Sequence, residues 1–254
     1  MENLGHLALL LAAAFTAGAL NAVAGGGSFL TLPALVFTGV PPVIANATGT
    51  VALLPGYMAG AWGFKDDMQS PPGLSMKKVL ALSLIGGSAG AALLLFTPDA
   101  TFRKVVPWLL LAATAMFAFG PQLRAWAAGQ NAAQAAPSAV KAAAGMLIVA
   151  IYGGYFNGGL GILLLALFGL LGQTSLNAMN GMKNLVSALL TAIAVVIYAV
   201  GGIVEWKLAL LMMVAATLGG YLGARVARRI APHVLRWGIV ATGLVMAGLF
   251  FAKG

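Results

Sequence analysis

Two stretches of this 254-residue chain carry residue types that could do chemistry, Asn21 to Pro33 and Asn157 to Gly161. In the first, a long apolar run is cut open by Gly25, Gly26, Gly27 and Ser28, with Asn21 before the cut and Thr31 after it; in the second, Asn157 stands before Gly158, Gly159 and Gly161. Each glycine forfeits about 1 kcal/mol of helix propensity relative to alanine, so a helix is expected to break at both places. The chemistry on offer is binding rather than bond making. Side-chain amides and hydroxyls stand beside backbone N–H groups, and the segment that follows each break opens on more of them. Asn46, Thr48 and Thr50 follow the first; Thr174, Ser175, Asn177, Asn180, Lys183 and Asn184 follow the second. Asn180, Lys183 and Asn184 are spaced i, i+3, i+4, which places two amides and an ammonium on one helical face.

Other chemistries lack their residues. With no cysteine there is no disulfide, thiol catalysis or cysteine-ligated metal, and His6 and His233 stand alone without metal-ligand spacing. The glycine runs lack both the Gly-Lys-Ser/Thr ending and the Gly-x-Gly-x-x-Gly spacing of nucleotide sites. No cofactor is called for. The five carboxylates, Glu2, Asp66, Asp67, Asp99 and Glu205, fall at termini or in loops, so a proton relay through membrane-embedded carboxylates is not expected. An electropositive interior without carboxylates suits an anion. The net charge of +9 is scattered between apolar runs without a basic stripe, which argues against nucleic acid.

These residues need a scaffold, and composition says which. At 61% hydrophobic and 7% charged residues, with a mean hydropathy of +0.98, the chain lies outside the soluble range and reads as an all-α polytopic integral membrane protein in a lipid bilayer. The expected segments are Leu4–Ala24, a short Phe29–Gly39, Val43–Phe64, Leu74–Phe96 and Val105–Phe119. Leu7 to Ala24 imitates a signal peptide, but Glu2 and His6 replace the basic start, which favours a retained first span. In a bilayer, non-helical backbone survives only where it is buried in protein or lines a cavity. Two breaks therefore point to a site.

The second half repeats the first. Gly26, Gly27 and Gly49 map onto Gly158, Gly159 and Gly181 at an offset of 132, while Gly86, Gly87 and Gly90 map onto Gly219, Gly220 and Gly223 at 133, as Arg103 does onto Arg236. This divides the chain into a first membrane repeat at 1–120, a cytoplasmic linker at 121–138 and a second repeat at 139–254. Loop charge then orients the halves. Five segments per half, with both termini periplasmic, put Lys65, Lys77, Lys78, Arg124, Lys141, Arg225, Arg228, Arg229 and Arg236 inside against Arg103, Lys104, Lys207 and Lys253 outside, nine to four; four segments per half would give seven to six. Inverted repeats of about five segments each are preferred. In such proteins the substrate sits near the midplane, at broken helices whose N-terminal N–H groups favour anions.

Several residues keep a plainer alternative. Lys183 is either a substrate contact or a lysine snorkelling to the cytoplasmic headgroups, and its repeat partner is Val51. Asn21 and Asn157 could simply cap helices, and Ser28, Thr31, Thr48 and Thr50 could bond back to their own helices. Tyr57 and the five tryptophans, Trp62, Trp108, Trp126, Trp206 and Trp237, are expected at the membrane interface.

The Ala-Gly-Gly-Gly-Ser and Leu-Pro of Asn21–Pro33, the Ala-Asn-Ala-Thr-Gly-Thr of Ala45–Thr50 and the echo at Asn157–Gly161 resemble the sulfite exporter TauE/SafE-like family of bacterial membrane proteins. The resemblance covers essentially the whole chain. It implies a transporter of small sulfur oxyanions or organosulfonates in the cytoplasmic membrane, with a small anionic substrate as partner and no enzyme activity. The residues expected around the substrate are Asn21, Gly25, Gly26, Gly27, Ser28, Asn46, Thr48, Thr50, Asn157, Gly158, Gly159, Asn177, Asn180, Lys183 and Asn184. A non-transporting assembly or scaffold subunit is the alternative, in which the polar clusters serve only helix packing; a homo-oligomer stays open in either case.

Overall fold

The computed structural model describes residues 4–23, 26–119, 122, 125, 138–226 and 232–253. Gly25, Trp126 and most of the 121–138 linker lie outside them. The helices are α1 (Leu4–Val23), α2 (Ser28–Phe37), α3 (Pro42–Gly63), α4 (Met76–Leu95), α5 (Asp99–Ala118), α6 (Ala139–Tyr155), α7 (Leu160–Leu170), α8 (Leu176–Val200), α9 (Trp206–Val226) and α10 (Pro232–Lys253). Among the described residues five precede the linker and five follow it, and a 3₁₀ turn at Lys65–Asp67 closes α3. The all-α membrane class holds.

Local chemistry sets the ends. Ser75, Ser138 and Ser175 accept from the N–H groups of Lys78, Lys141 and Ala178, so α4, α6 and α8 each start on a hydroxyl cap. Pro41 and Pro42 open α3, whose Val43 N–H is taken at 3.0 Å by the carboxylate of Asp99. The expected start of the fifth segment at Val105 was too late. Pro98 sets the entry and Asp99, Arg103 and Lys104 already belong to the helix, because a charged first turn outside the lipid is as helical as the apolar turns that follow.

By length and apolarity, three helices among the described residues can cross a membrane unaided, over Leu4–Asn21, Met76–Leu95 and Leu176–Val200. The two helices after the breaks cannot. At 10 and 11 residues, α2 and α7 span only about 15 Å of a core of about 30 Å.

The helix contacts keep their pattern when the halves are exchanged. α1 packs on α9 as α6 packs on α4, α3 on α9 as α8 on α4, α2 on α10 as α7 on α5. Glycines make the two most extensive seams. Gly86 and Gly90 lie against Ala150, Ile151 and Gly154 of α6, and Gly219, which corresponds to Gly86, and its neighbour Gly220 lie against Phe15 and Gly18 of α1. Two pairs join equivalent helices directly, α3 with α8 and α5 with α10, and both run antiparallel. Gly60 meets Asn184 while Gly181 meets Phe64; Trp108 stacks edge-on against Phe251 at 5.2 Å while Thr114 lies on Gly243.

Candidate functional site

Both breaks are built on glycine. Gly26 has φ 152° and Gly159 has φ 74°, backbone that an L side chain resists, so the chain turns between α1 and α2 and between α6 and α7 without a steric penalty. The turns are also tight. A Cβ on Gly27 would lie 2.9 Å from the Ala17 carbonyl and 3.0 Å from Leu53, and one on Gly159 would lie 3.0 Å from Ala113. Gly26, Gly27, Ser28, Asn157, Gly158 and Gly159 are all buried.

A break inside a membrane frees backbone groups that must be satisfied. At the second break, side chains take the carbonyls. Asn46 donates to Tyr155 O at 3.0 Å, Tyr198 to Gly154 O at 2.5 Å and Tyr152 to Gly158 O at 2.6 Å. At the first, Asn21 Oδ1 accepts from Gly26 N–H at 3.2 Å. Between them runs α3: Tyr57 donates to Asn157 Oδ1 at 3.1 Å, and Leu53, one turn earlier, lies against Gly27. One helix thus touches both breaks. The N-termini of α2 and α7, where backbone dipoles leave partial positive charge, follow directly on these breaks.

Tyr57 corrects an expectation. It is 6% exposed and lies inside the molecule, whereas Trp62, Trp108, Trp206 and Trp237 are exposed as interfacial anchors should be. Proximity to a predicted span end misled here, because Pro55 and Tyr57 belong to the body of α3, which runs on to Gly63.

The remaining sequence-selected residues divide. Lys183 is 3% exposed, with Nζ 3.2 Å from Asn180 Oδ1, and Asn184 is buried against Gly60 on α3, one turn from Tyr57. Lys183 is therefore packed in protein and does not face lipid. Thr50 is buried in α3. Thr48 is committed elsewhere, its hydroxyl accepting from Glu205 N–H at 3.0 Å to tie α3 to the start of α9. Asn177 is exposed in the first turn of α8 and is not brought to the cluster; Gly25 lies outside the described residues.

Sequence reasoning missed Tyr152 and Tyr198, whose only signal was a tyrosine in the body of an apolar span, and it missed Ser187 and Thr191. The carbonyls of Gly154, Tyr155 and Gly158 are thus taken within the protein. Buried groups able to donate are left over. Ser28 Oγ, Thr31 Oγ1, Asn157 Nδ2, Ser187 Oγ and Thr191 Oγ1 have no hydrogen-bond partner among the described residues. An apolar crevice of about 80 Å³ opens away from the breaks, between Pro33, Phe37, Arg103 and Phe250.

The chain is similar along most of its length to proteins named as probable membrane transporters: 28% identical to one from Haemophilus influenzae, with 94% of this chain and 92% of the relative covered, 27% to one from a Sinorhizobium species, with 95% and 90%, and 26% to YfcA of Escherichia coli, with 95% and 88%. No solved structure matches it. The family model for sulfite exporter TauE/SafE proteins matches residues 10–250, and this chain, a multi-pass membrane protein with two glycine-broken helix pairs, belongs to that family of membrane transporters.

Proposed function

We propose that the protein carries small sulfur-containing anions, of the sulfite, thiosulfate or organosulfonate class, across the bacterial inner membrane by alternating access. The observation that carries this reading is a set of buried polar groups at and beside the two breaks: the carbonyls of Tyr155, Gly158 and Gly154 are taken by Asn46, Tyr152 and Tyr198, while the hydroxyls of Ser28 and Thr31 and the amide hydrogens of Asn157 have no partner among the described residues. Hydroxyl and amide hydrogens free to donate, beside carbonyls already taken, suit an acceptor-rich solute. The helix N-termini supply partial positive charge, and Lys183 with Asn180 and Asn184 supplies a full one within a turn of the same level.

Inverted repeats account for the two-state motion. Equivalent helices that meet antiparallel, α3 with α8 and α5 with α10, are what a pseudo-two-fold axis in the membrane plane produces, and the exchange pattern of the other contacts agrees with it. Rocking one half against the other would then open the site to either side in turn. With five segments per half, both termini are periplasmic and the linker cytoplasmic.

The test is flux in liposomes holding only this protein. Uptake of radiolabelled sulfite or thiosulfate, competed by sulfoacetate and indifferent to organic cations, is the expected result. A scaffold subunit would leave the vesicles as tight as protein-free ones.

A further inference from the structure

Helical serine and threonine hydroxyls usually bond back to their own helix. Here Thr16, Ser83 and Thr217 do so, each donating to the carbonyl four residues earlier at 2.7–2.8 Å. Ser187 and Thr191 of α8 do not. They are 1% and 0% exposed, and neither hydroxyl has any partner. Leaving a buried hydroxyl unpaired costs stability, and a back-bond is available at no more than a rotamer change. Two such hydroxyls one turn apart call for something to bond.

Their place is fixed by register. Ser187 and Thr191 continue the face of Asn180 and Asn184 at i+7 and i+11 from Asn180. On antiparallel α3, Gly60 meets Asn184 and Phe64 meets Gly181. One turn further, Ser187 stands level with Tyr57; another turn brings Thr191 level with Leu53, the residue against Gly27 at the first break. Asn157, whose amide is unpartnered, bonds Tyr57, and Ser28, whose hydroxyl is unpartnered, follows Gly27 at Leu53.

We infer that Ser187 and Thr191 are substrate-binding residues, which with Ser28 and Asn157 surround one polyatomic oxyanion by neutral donors arriving from α2, the second break and α8. This rests on the anion-carrier reading and sharpens it. Donors spread over three elements fit an anion whose charge is shared among several oxygens, and fit a halide poorly. Lys183 and Asn184 lie at one end of this row, so the oxyanion is held in the dry layer and the lysine sits beside it on the same helix face.

The experiment is ligand-induced thermal shift on the purified protein with sulfite and thiosulfate, and chloride as the third arm. Thr191→Val and Ser187→Ala are expected to raise the apparent Kd for both oxyanions about tenfold or more while leaving the ligand-free melting temperature unchanged or higher, since an unpaired hydroxyl is removed. Thr191→Ser is expected to restore affinity. Ser83→Ala, which removes a back-bonded hydroxyl, should leave the oxyanion Kd alone. Unchanged Kd values in both Thr191→Val and Ser187→Ala, with the wild type responding, overturn this inference and leave the carrier reading standing. A wild type shifted by neither oxyanion, or by chloride as strongly, overturns both.

Discussion

At the scale of single residues, the two side chains that matter most are Lys183 and Tyr57, and each makes a separable prediction. Lys183 is buried on Asn180, so its ammonium is held inside the protein and can form a charge-assisted bond with an anion. Lys183→Gln keeps length and hydrogen bonding but removes the charge. Its expected effect is a loss of anion affinity of about 1.5–3 kcal/mol, measured as Kd on purified protein separately from yield. An unchanged Kd would remove the lysine from the site. Tyr57→Phe removes one oxygen and with it the hydrogen bond to Asn157 Oδ1. Because Asn157 Nδ2 already lacks a partner, the variant leaves that whole amide unsatisfied, at a cost of about 1–3 kcal/mol in stability. Transport should fall further than the melting temperature accounts for; flux in proportion to the folded fraction would reduce Tyr57 to a packing residue.

At the scale of elements, glycine does two different jobs, and substitution should tell them apart. In the breaks it permits backbone that other residues resist and keeps the turn thin. Gly26→Leu meets φ 152°, and a Cβ on Gly158 would fall 2.6 Å from the Phe156 ring, so Gly26→Leu and Gly158→Leu should each abolish transport while the protein still inserts. Near-normal flux in both would move the site away from the breaks. In the seam between α4 and α6, Gly90 lets two backbones touch, with Gly154 and Tyr155 inside the space a Cβ would need. Gly90→Leu there should cost folded protein itself, seen as loss of the monodisperse peak in detergent, because the seam holds the halves together.

At the scale of the whole molecule, the prediction concerns orientation. The chain has no cysteine, so single cysteines introduced near each end and at Gln130 can be labelled without background. A membrane-impermeant maleimide applied to intact spheroplasts should label both ends and spare position 130. Labelling of all three from one side would contradict an odd number of crossings per half, and with it the inverted relation that the antiparallel pairs α3 with α8 and α5 with α10 support.

The sequence by itself determined the class, the number of segments and the two breaks, because each is written locally. Hydropathy is a sum over neighbours, and Gly26 and Gly159 mark backbone that only glycine adopts easily. The matching glycines were legible for the same reason, since Gly86 and Gly219 both lie in seams that leave no room for a side chain. What a polar residue does inside the bundle was not legible. In water, burial can be read from an amphipathic pattern, but a membrane helix is apolar on its lipid face and its packed face alike, so periodicity does not say which way Tyr57, Ser187 or Thr191 points. Only the tertiary structure decided that Thr48 is committed to Glu205, 157 residues away, that Tyr57 reaches Asn157, 100 residues away, and that two hydroxyls of α8 were left without partners. Such pairings depend on which helices the seams bring together, and that choice is made by backbone approach across the whole fold rather than by any stretch of the chain.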